Sequence, residues 1–431
     1  MKRAPSLLVC LLLVFLHAAA QPKVSPVAEA SPASVSVSSE RLQRIDTLLT
    51  EWTSKNWTSG SAAMIVRDGK IVYYKAFGYE DEAKTVPSKK DAIYRIASQT
   101  KAITSVAAMI LYEQGKIMLD DPVSKYIPEF AKPVVLDKLN FADTSFTTVP
   151  ARRAVTIRDL LTHTSGIGYP SIGSREANAL YAKYDIPSGI ATPKGYVLGD
   201  AIKKLARLPL THQPGERWTY GLNLDVLGYV IEVVSGMSLD AFFKQNIFTP
   251  LGMHDTYFYL PKDKQNRLKS LAFEDKEGMH IMPPVYNGSM QRDYPAMEGT
   301  YYSGGAGLSS TMYDYAIFLQ MLLNGGEYNG KRILSASSVH LMTVNQIGNL
   351  NQGNNKFGLG FSITSEQEAA RYPAPAGTFN WGGIFNTTYW VDPKNKIVAQ
   401  VYSQVWGRTH NDLDKRFMVL VYQALTDNRN P

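Results

Sequence analysis

Ser98-Gln99-Thr100-Lys101 is the one Ser-x-x-Lys in the chain, and it sets a hydroxyl that can attack three residues before an amine that can move a proton. Side chains three apart share one face of a helix, so the Lys101 amine can reach the Ser98 hydroxyl if a helix begins there. A helix N-terminus also places positive partial charge where an oxyanion would form. The bare pattern arises by chance in a chain of this length, and an isolated match reads equally as an N-cap serine followed by a solvated lysine. Two further stretches add chemistry. Pro214-Gly215-Glu216-Arg217-Trp218-Thr219-Tyr220 puts a phenol at a loop-to-helix junction, and Trp381-Gly382-Gly383 precedes a strand, with two glycines that let backbone approach a ligand closely.

The elements that must position these groups are legible from periodicity. After Ser98, the residues Ile103, Val106, Ala107, Ile110 and Leu111 recur at helical spacing up to Gly115, which predicts a buried helix. Leu42, Ile45, Leu48 and Leu49 predict a helix starting near Ser39. A hairpin is expected from Ala62 to Val66, through the turn Arg67-Asp68-Gly69-Lys70, and on through Ile71 to Gly78. Helices are expected at Leu222 to Ser235, Leu239 to Phe248 and Thr311 to Asn324. Strands are expected at Asn386 to Val391 and Ile397 to Ser403, before a terminal helix through Phe417 to Leu425. Residues 39–115 and 291–431 would then form one discontinuous α/β domain, interrupted by a mostly helical domain over 116–290.

Lys2 and Arg3, an apolar run from Leu7 to Leu16 and Ala18-Ala19-Ala20 before Gln21 have the form of a secretory signal over 1–20. The run is too short to span a bilayer, and no later stretch reaches that length, so no stable membrane insertion is expected after cleavage. Residues 21–38, rich in Ser, Ala, Pro and Val without periodicity, read as a flexible leader. The single cysteine, Cys10, lies inside the signal, so an exported chain without disulfides is expected in a bacterial periplasm. The formal charge of +7 comes from scattered Lys and Arg, which argues against nucleic acid as a partner. His163 has no Gly-x-Ser-x-Gly elbow to serve, and no metal-ligand motif or cofactor-binding motif is present, so the chemistry is expected to need neither metal nor cofactor.

Taken in order, the Ser98 to Lys101, Tyr220 and Trp381 to Gly383 elements resemble the serine β-lactamase and penicillin-binding-protein-like superfamily. Within it the chain is most similar to the class C-like branch known as family VIII carboxylesterases. Leu160-Leu161-Thr162-His163-Thr164-Ser165-Gly166-Ile167, the stretch Pro214 to Gly228, and Gly304-Gly305-Ala306-Gly307-Leu308-Ser309-Ser310-Thr311 support the resemblance, which runs from about residue 40 to 425. It implies a β-lactamase/transpeptidase-like fold: an antiparallel β-sheet flanked by helices, with a mostly helical insertion. It also implies Ser98 as nucleophile, Lys101 and Tyr220 as the proton-relay pair, and an oxyanion hole from the backbone N–H of Ser98 and Ile384. A free phenol, with a pKa of about 10, is only about 0.1 % ionised at neutral pH, so a phenol acting as base needs a cation beside it. Which of Lys101 and Tyr220 takes the proton stays open at this point.

The chain departs from the β-lactamase pattern at two places. Trp381-Gly382-Gly383 stands where those enzymes carry Lys-Thr-Gly or His-Thr-Gly, removing a cation that would favour a substrate carboxylate. Tyr220-Gly221-Leu222 stands where they carry Tyr-x-Asn, leaving Asn223 one place late and about 100° round the helix. Trp381, Gly382, Gly383 and Asn223 are the candidate substrate-binding residues. The expected substrate is a small-molecule ester or amide, first a neutral ester with a short or medium acyl chain. The alternatives are a β-lactam or D-alanyl-D-alanine peptide, acyl transfer to another acceptor, or a penicillin-binding sensor without turnover.

Overall fold

The computed structural model describes residues 27–286, 290–407 and 409–427. The expected signal over 1–20 and the start of the expected leader, to residue 26, lie outside the described residues. The central sheet takes its strands from both ends of the chain: β1 (Ala28–Glu29), β2 (Gly60–Arg67), β3 (Lys70–Gly78), β4 (Lys356–Phe357), β5 (Ser362–Ile363), β6 (Phe379–Gly383), β7 (Thr387–Asp392) and β8 (Ile397–Ser403). Their spatial order is β1-β3-β2-β8-β7-β6-β5-β4. Every pairing is antiparallel except β1 with β3. The β2–β3 hairpin closes on Asp68 and Gly69, both at positive φ, where the Asp-Gly pair supplies the left-handed turn.

All eight residues of β2 are buried, because both faces of the sheet are covered. On one face Ala63 and Ile65 meet α1 (Ser39–Ser54) and, through Phe417 and Val421, the terminal helix. On the other, Ala62, Met64 and Val66 join a large core containing α2 (Thr100–Glu113), with Ile103, Val106 and Ala107 at 0 % exposure. The remaining helices that matter to the site are α3 (Ile157–Thr162), α4 (Asn223–Ser235), α5 (Met312–Leu323) and the terminal α6 (Leu413–Gln423). The architecture is the expected one, a largely antiparallel sheet flanked by helices on both faces.

Between residues 116 and 290 helices alternate with short strands. Val134–Leu139 pairs with Phe146–Pro150, and Ala272–Asp275 pairs with Gly278–Ile281. The second hairpin is joined to Val405–Trp406, so this part of the segment packs onto chain from the C-terminal end. The expected helix over Leu239 to Phe248 ends its α-helical stretch at Phe243 and continues as a wider turn over Lys244–Phe248.

The flexible leader expected over 21–38 is corrected by the structure from Val27 onward. Ala28–Glu29 adds a strand beside β3, while Val27 and Val37 are 2 % and 3 % exposed. Ser38 caps α1 by accepting from the Arg41 N–H. The fully buried Arg67 guanidinium donates to the Ser36 carbonyl at 2.8 Å. Composition concealed this because only two valines are buried, and the remaining ties are strand pairing with β3 and bonds from distant side chains, the hydroxyls of Tyr328 and Tyr313 on Val27 and the Arg67 guanidinium on Ser36. Cutting the chain to begin at Ser38 exposes what the two valines cover and strips Arg67 of a carbonyl. The expected loss of stability is about 3 kcal/mol against a chain beginning at Gln21, read by denaturant unfolding.

Candidate active site

Ser98 sits in a tight turn over Ala97–Gln99 that runs directly into α2. Ala97 holds φ at +43°, a conformation that a residue with a Cβ occupies only when its surroundings impose it. They do so here. Ile96 N–H donates to the Leu308 carbonyl, Tyr315 donates to the Gln99 carbonyl at 2.9 Å, and Tyr402 donates to Gln99 Oε1 at 2.6 Å. Leu308 N–H donates to Thr100 Oγ1 at 3.0 Å, so the Gly304 to Thr311 stretch buttresses the same turn.

Lys101 follows one helical turn later with its amine almost fully enclosed, at 1 % exposure. It donates to three oxygens: Gly305 O at 2.6 Å, Tyr169 Oη at 2.9 Å and Ser98 Oγ at 3.2 Å. Tyr220 Oη and Ser98 Oγ are hydrogen-bonded at 2.7 Å. The structure thus brings Ser98, Lys101 and Tyr220 onto one point although Tyr220 lies 122 residues from Ser98.

Tyr220 reaches that point because two loops are laced together. Gly215 N–H donates to Thr164 O, Thr219 N–H to His163 O and Leu222 N–H to Gly168 O. At Gly221 a Cβ would lie 1.9 Å from the Ile167 carbonyl, so only glycine permits this lacing. The Tyr220 ring then packs against His163, Trp218 and Trp381, with ring centroids 4.9, 5.9 and 5.5 Å away. Burial, with Lys101 nearby, holds the His163 imidazole well below the usual range, so it stays neutral. Asn223 Nδ2 donates to its Nδ1 at 2.9 Å, so His163 packs against the phenol and offers no proton acceptor to Ser98.

Tyr169 is the functional side chain that sequence reasoning missed. Burial first, then Tyr220, push its phenol far above the ordinary range, so it remains protonated beside Lys101. A lone tyrosine after Ile167-Gly168 has no partner at a telling spacing, and only the tertiary contact with Lys101 exposes its place.

The candidate substrate-binding residues divide. Ser98, Tyr220, Trp381, Gly382 and Ile384 line a cavity of about 1050 Å³. Its far walls include Ile190, Met290 and Trp406. Gly383 serves a different contact from the one its sequence suggested: a Cβ there would stand 2.4 Å from the Ile96 carbonyl, so its close neighbour is the turn that carries Ser98, not a ligand. Asn223 is corrected outright. It is fully buried on α4, bonded to Ser165, His163 and Ile167, and does not line the cavity. One step along the helix has turned its amide into the loop that supports Tyr220. Asn223→Ala is therefore expected to destabilise the protein by about 2–4 kcal/mol, since His163 and Ser165 lose buried partners. Its KM should stay within about twofold of wild type, measured beside thermal unfolding.

Residues 43–423 match the family model described as beta-lactamase. The chain belongs to that family. Protein Rv1367c of Mycobacterium tuberculosis (strain H37Rv) is 33 % identical over 362 residues, covering 79 % of this chain and 84 % of its own. Esterase EstB of Burkholderia gladioli is 29 % identical over 362 residues, covering 81 % and 86 %. Among solved structures, EstCE1, titled a hydrolase with promiscuous acyltransferase activity, superposes with a TM-score of 0.76 at 25 % identity, covering 90 % of this chain and 99 % of its own. This chain is accordingly a hydrolase of the serine-hydrolase superfamily.

Proposed function

We propose that the protein is a carboxylesterase that works through an acyl-enzyme on Ser98 and takes neutral esters. The observation that carries this reading is Ser98 Oγ held between Lys101 Nζ and Tyr220 Oη at 3.2 and 2.7 Å, at the mouth of α2 and on the wall of a large cavity. Tyr220, which donates its phenol proton to Ser98 Oγ in the resting site, acts as base once that proton has passed to solvent in the cavity. The phenolate then lies beside the Lys101 amine, whose nitrogen is 4.7 Å from the Tyr220 ring centre, and takes the Ser98 proton. Ser98 Oγ then bonds to the acyl carbon, and the backbone N–H groups of Ser98 and Ile384 receive the oxyanion. Its collapse breaks the bond to the alcohol oxygen, which leaves with the proton from Tyr220. Water next gives a proton to Tyr220 and bonds to the acyl carbon, and the acid departs as Ser98 regains its hydrogen.

Three features favour a neutral ester over a carboxylate-bearing β-lactam or peptide. Trp381 occupies the place of the lost cation and packs on the Tyr220 ring. Among the described residues lining the cavity there is no Lys, Arg or His, while Asp185 and Asp414 are both present. Asn223 points away from the cavity, so it presents no amide to a β-lactam side chain. The volume of about 1050 Å³ lies at the upper end for small-molecule sites, so a group larger than a medium acyl chain fits on one side of the ester. On p-nitrophenyl butyrate, Ser98→Ala is expected to lose about 10⁴-fold or more in kcat with the fold intact. Wild type should prefer that ester to nitrocefin by at least about 100-fold in kcat/KM. Turnover in the alanine variant, or equal rates on the two substrates, sinks the assignment.

We place the protein in the bacterial periplasm after export, on the strength of Lys2, Arg3, the Leu7 to Leu16 run and the Ala18-Ala19-Ala20 site. N-terminal sequencing of the mature protein should begin at Gln21, and an intact Met1 end contradicts the reading.

A further inference from the structure

Behind the reacting side chains lies a carboxyl group with no part in the steps above. Asp225, in the first turn of α4, is fully buried. Ser303 Oγ donates to its Oδ1 at 2.6 Å, and the same oxygen of Ser303 accepts from the Ala306 N–H at 3.0 Å, which closes the turn over 303–306. Oδ2 lies against Gly305, where a Cβ would stand 2.3 Å from it. With no side chain between them, α4 and the turn touch, and the Gly305 carbonyl emerges 2.6 Å from Lys101 Nζ.

The groups facing Asp225 are Lys101 from α2, Tyr169 from the loop after α3, and Tyr294 and Tyr301 from the segment leading into the turn. Burial pushes all three phenols well above their ordinary range, so they stay neutral. Lys101 is therefore the one cation in this set. Burial also raises the Asp225 carboxyl, to about 6, against the opposing pull of the Ser303 hydrogen bond and the Lys101 charge. A carboxylate that deep is costly unless something uses it.

We propose that Asp225 is a positioning residue for acyl transfer: through Ser303 and the Gly305 carbonyl it holds Lys101 Nζ against Ser98, and it supplies the buried negative charge against which Lys101 remains an ammonium while Tyr220 takes the Ser98 proton. This rests on the acyl-enzyme reading above. The sign of the pH dependence follows from the raised carboxyl. Asp225 is charged above about pH 6 and neutral below it, so kcat falls as the pH drops through that value.

The test is a pH profile from 5 to 9 on p-nitrophenyl butyrate for wild type, Asp225→Asn and Ser303→Ala, with circular dichroism and melting curves as fold controls. Asp225→Asn keeps the shape and removes the charge. Its kcat should fall about 10- to 100-fold with KM within about twofold, and the acid limb near pH 6 should vanish. Ser303→Ala keeps the carboxylate but removes a bond that favours its charged form, so the limb should move to higher pH with a smaller loss of kcat. A folded Asp225→Asn with wild-type kcat, with an unchanged acid limb, or with a change in KM alone overturns the proposal. If Asp225→Asn does not fold, Ser303→Ala decides: a shifted limb supports the role and an unshifted one refutes it. Turnover by Ser98→Ala would instead defeat the acyl-enzyme reading itself, so the two failures are distinguishable.

Discussion

Lys101 puts a primary amine, 1 % exposed, beneath the first turn of α2, and an amine so deep must meet an oxygen on each N–H or lose more in desolvation than packing returns. The three oxygens it finds come from three parts of the chain: Ser98 beside it, Tyr169 after α3, and the Gly305 carbonyl more than 200 residues on. The arrangement of the site follows from that requirement. The turn bearing Ser98, the loop bearing Tyr169 and the glycine turn over 303–306 have to converge on one nitrogen. The backbone at Gly221, Gly305 and Gly383 is correspondingly pressed against neighbouring backbone or carboxyl oxygen, where a methyl group has no room.

Convergence needs a rigid frame, and the sheet with its two helical layers supplies it. β2 is buried on both faces, and β6 lies against the Ile96 to Ser98 turn through Gly383. Ser98 is thus fixed between a strand from the C-terminal part of the chain and a helix from the N-terminal part. The strained φ of Ala97 persists because Tyr315, Tyr402 and Leu308 all hold the residues around it. On the other side the Tyr220 phenol is gripped by rings of His163, Trp218 and Trp381, so its hydroxyl has little freedom to leave Ser98. Trp381 consequently has two contacts that matter: it shapes the cavity wall and braces the phenol.

Much of this frame was legible in the sequence. Helical spacing after Ser98 located α2, and the Asp-Gly turn located the β2–β3 hairpin, because a 3.6-residue or two-residue period survives in any context that buries one face. Ser98, Lys101 and Tyr220 stood out through residue type, order and local setting, and the structure brings them together. The leader was misjudged because its docking to β3 is backbone pairing, to which composition is blind. Asn223 was offered to substrate because sequence shows a residue's neighbours along the chain, while a single helical step decides whether its amide faces a cavity or a supporting loop.

The amino-acid sequence by itself marked Ser98, the Lys101 amine one helical turn away and the secondary structure that carries them, because helical spacing depends on interactions within a few residues. Tertiary structure alone decided that Tyr169 meets Lys101, that Gly305 lends a carbonyl, and that Asp225 is buried behind it. Those pairings join residues 68 to 204 positions apart in the chain. At that separation no local period records the contact, and the need to satisfy a buried charge selects the partners only once the chain has closed around it.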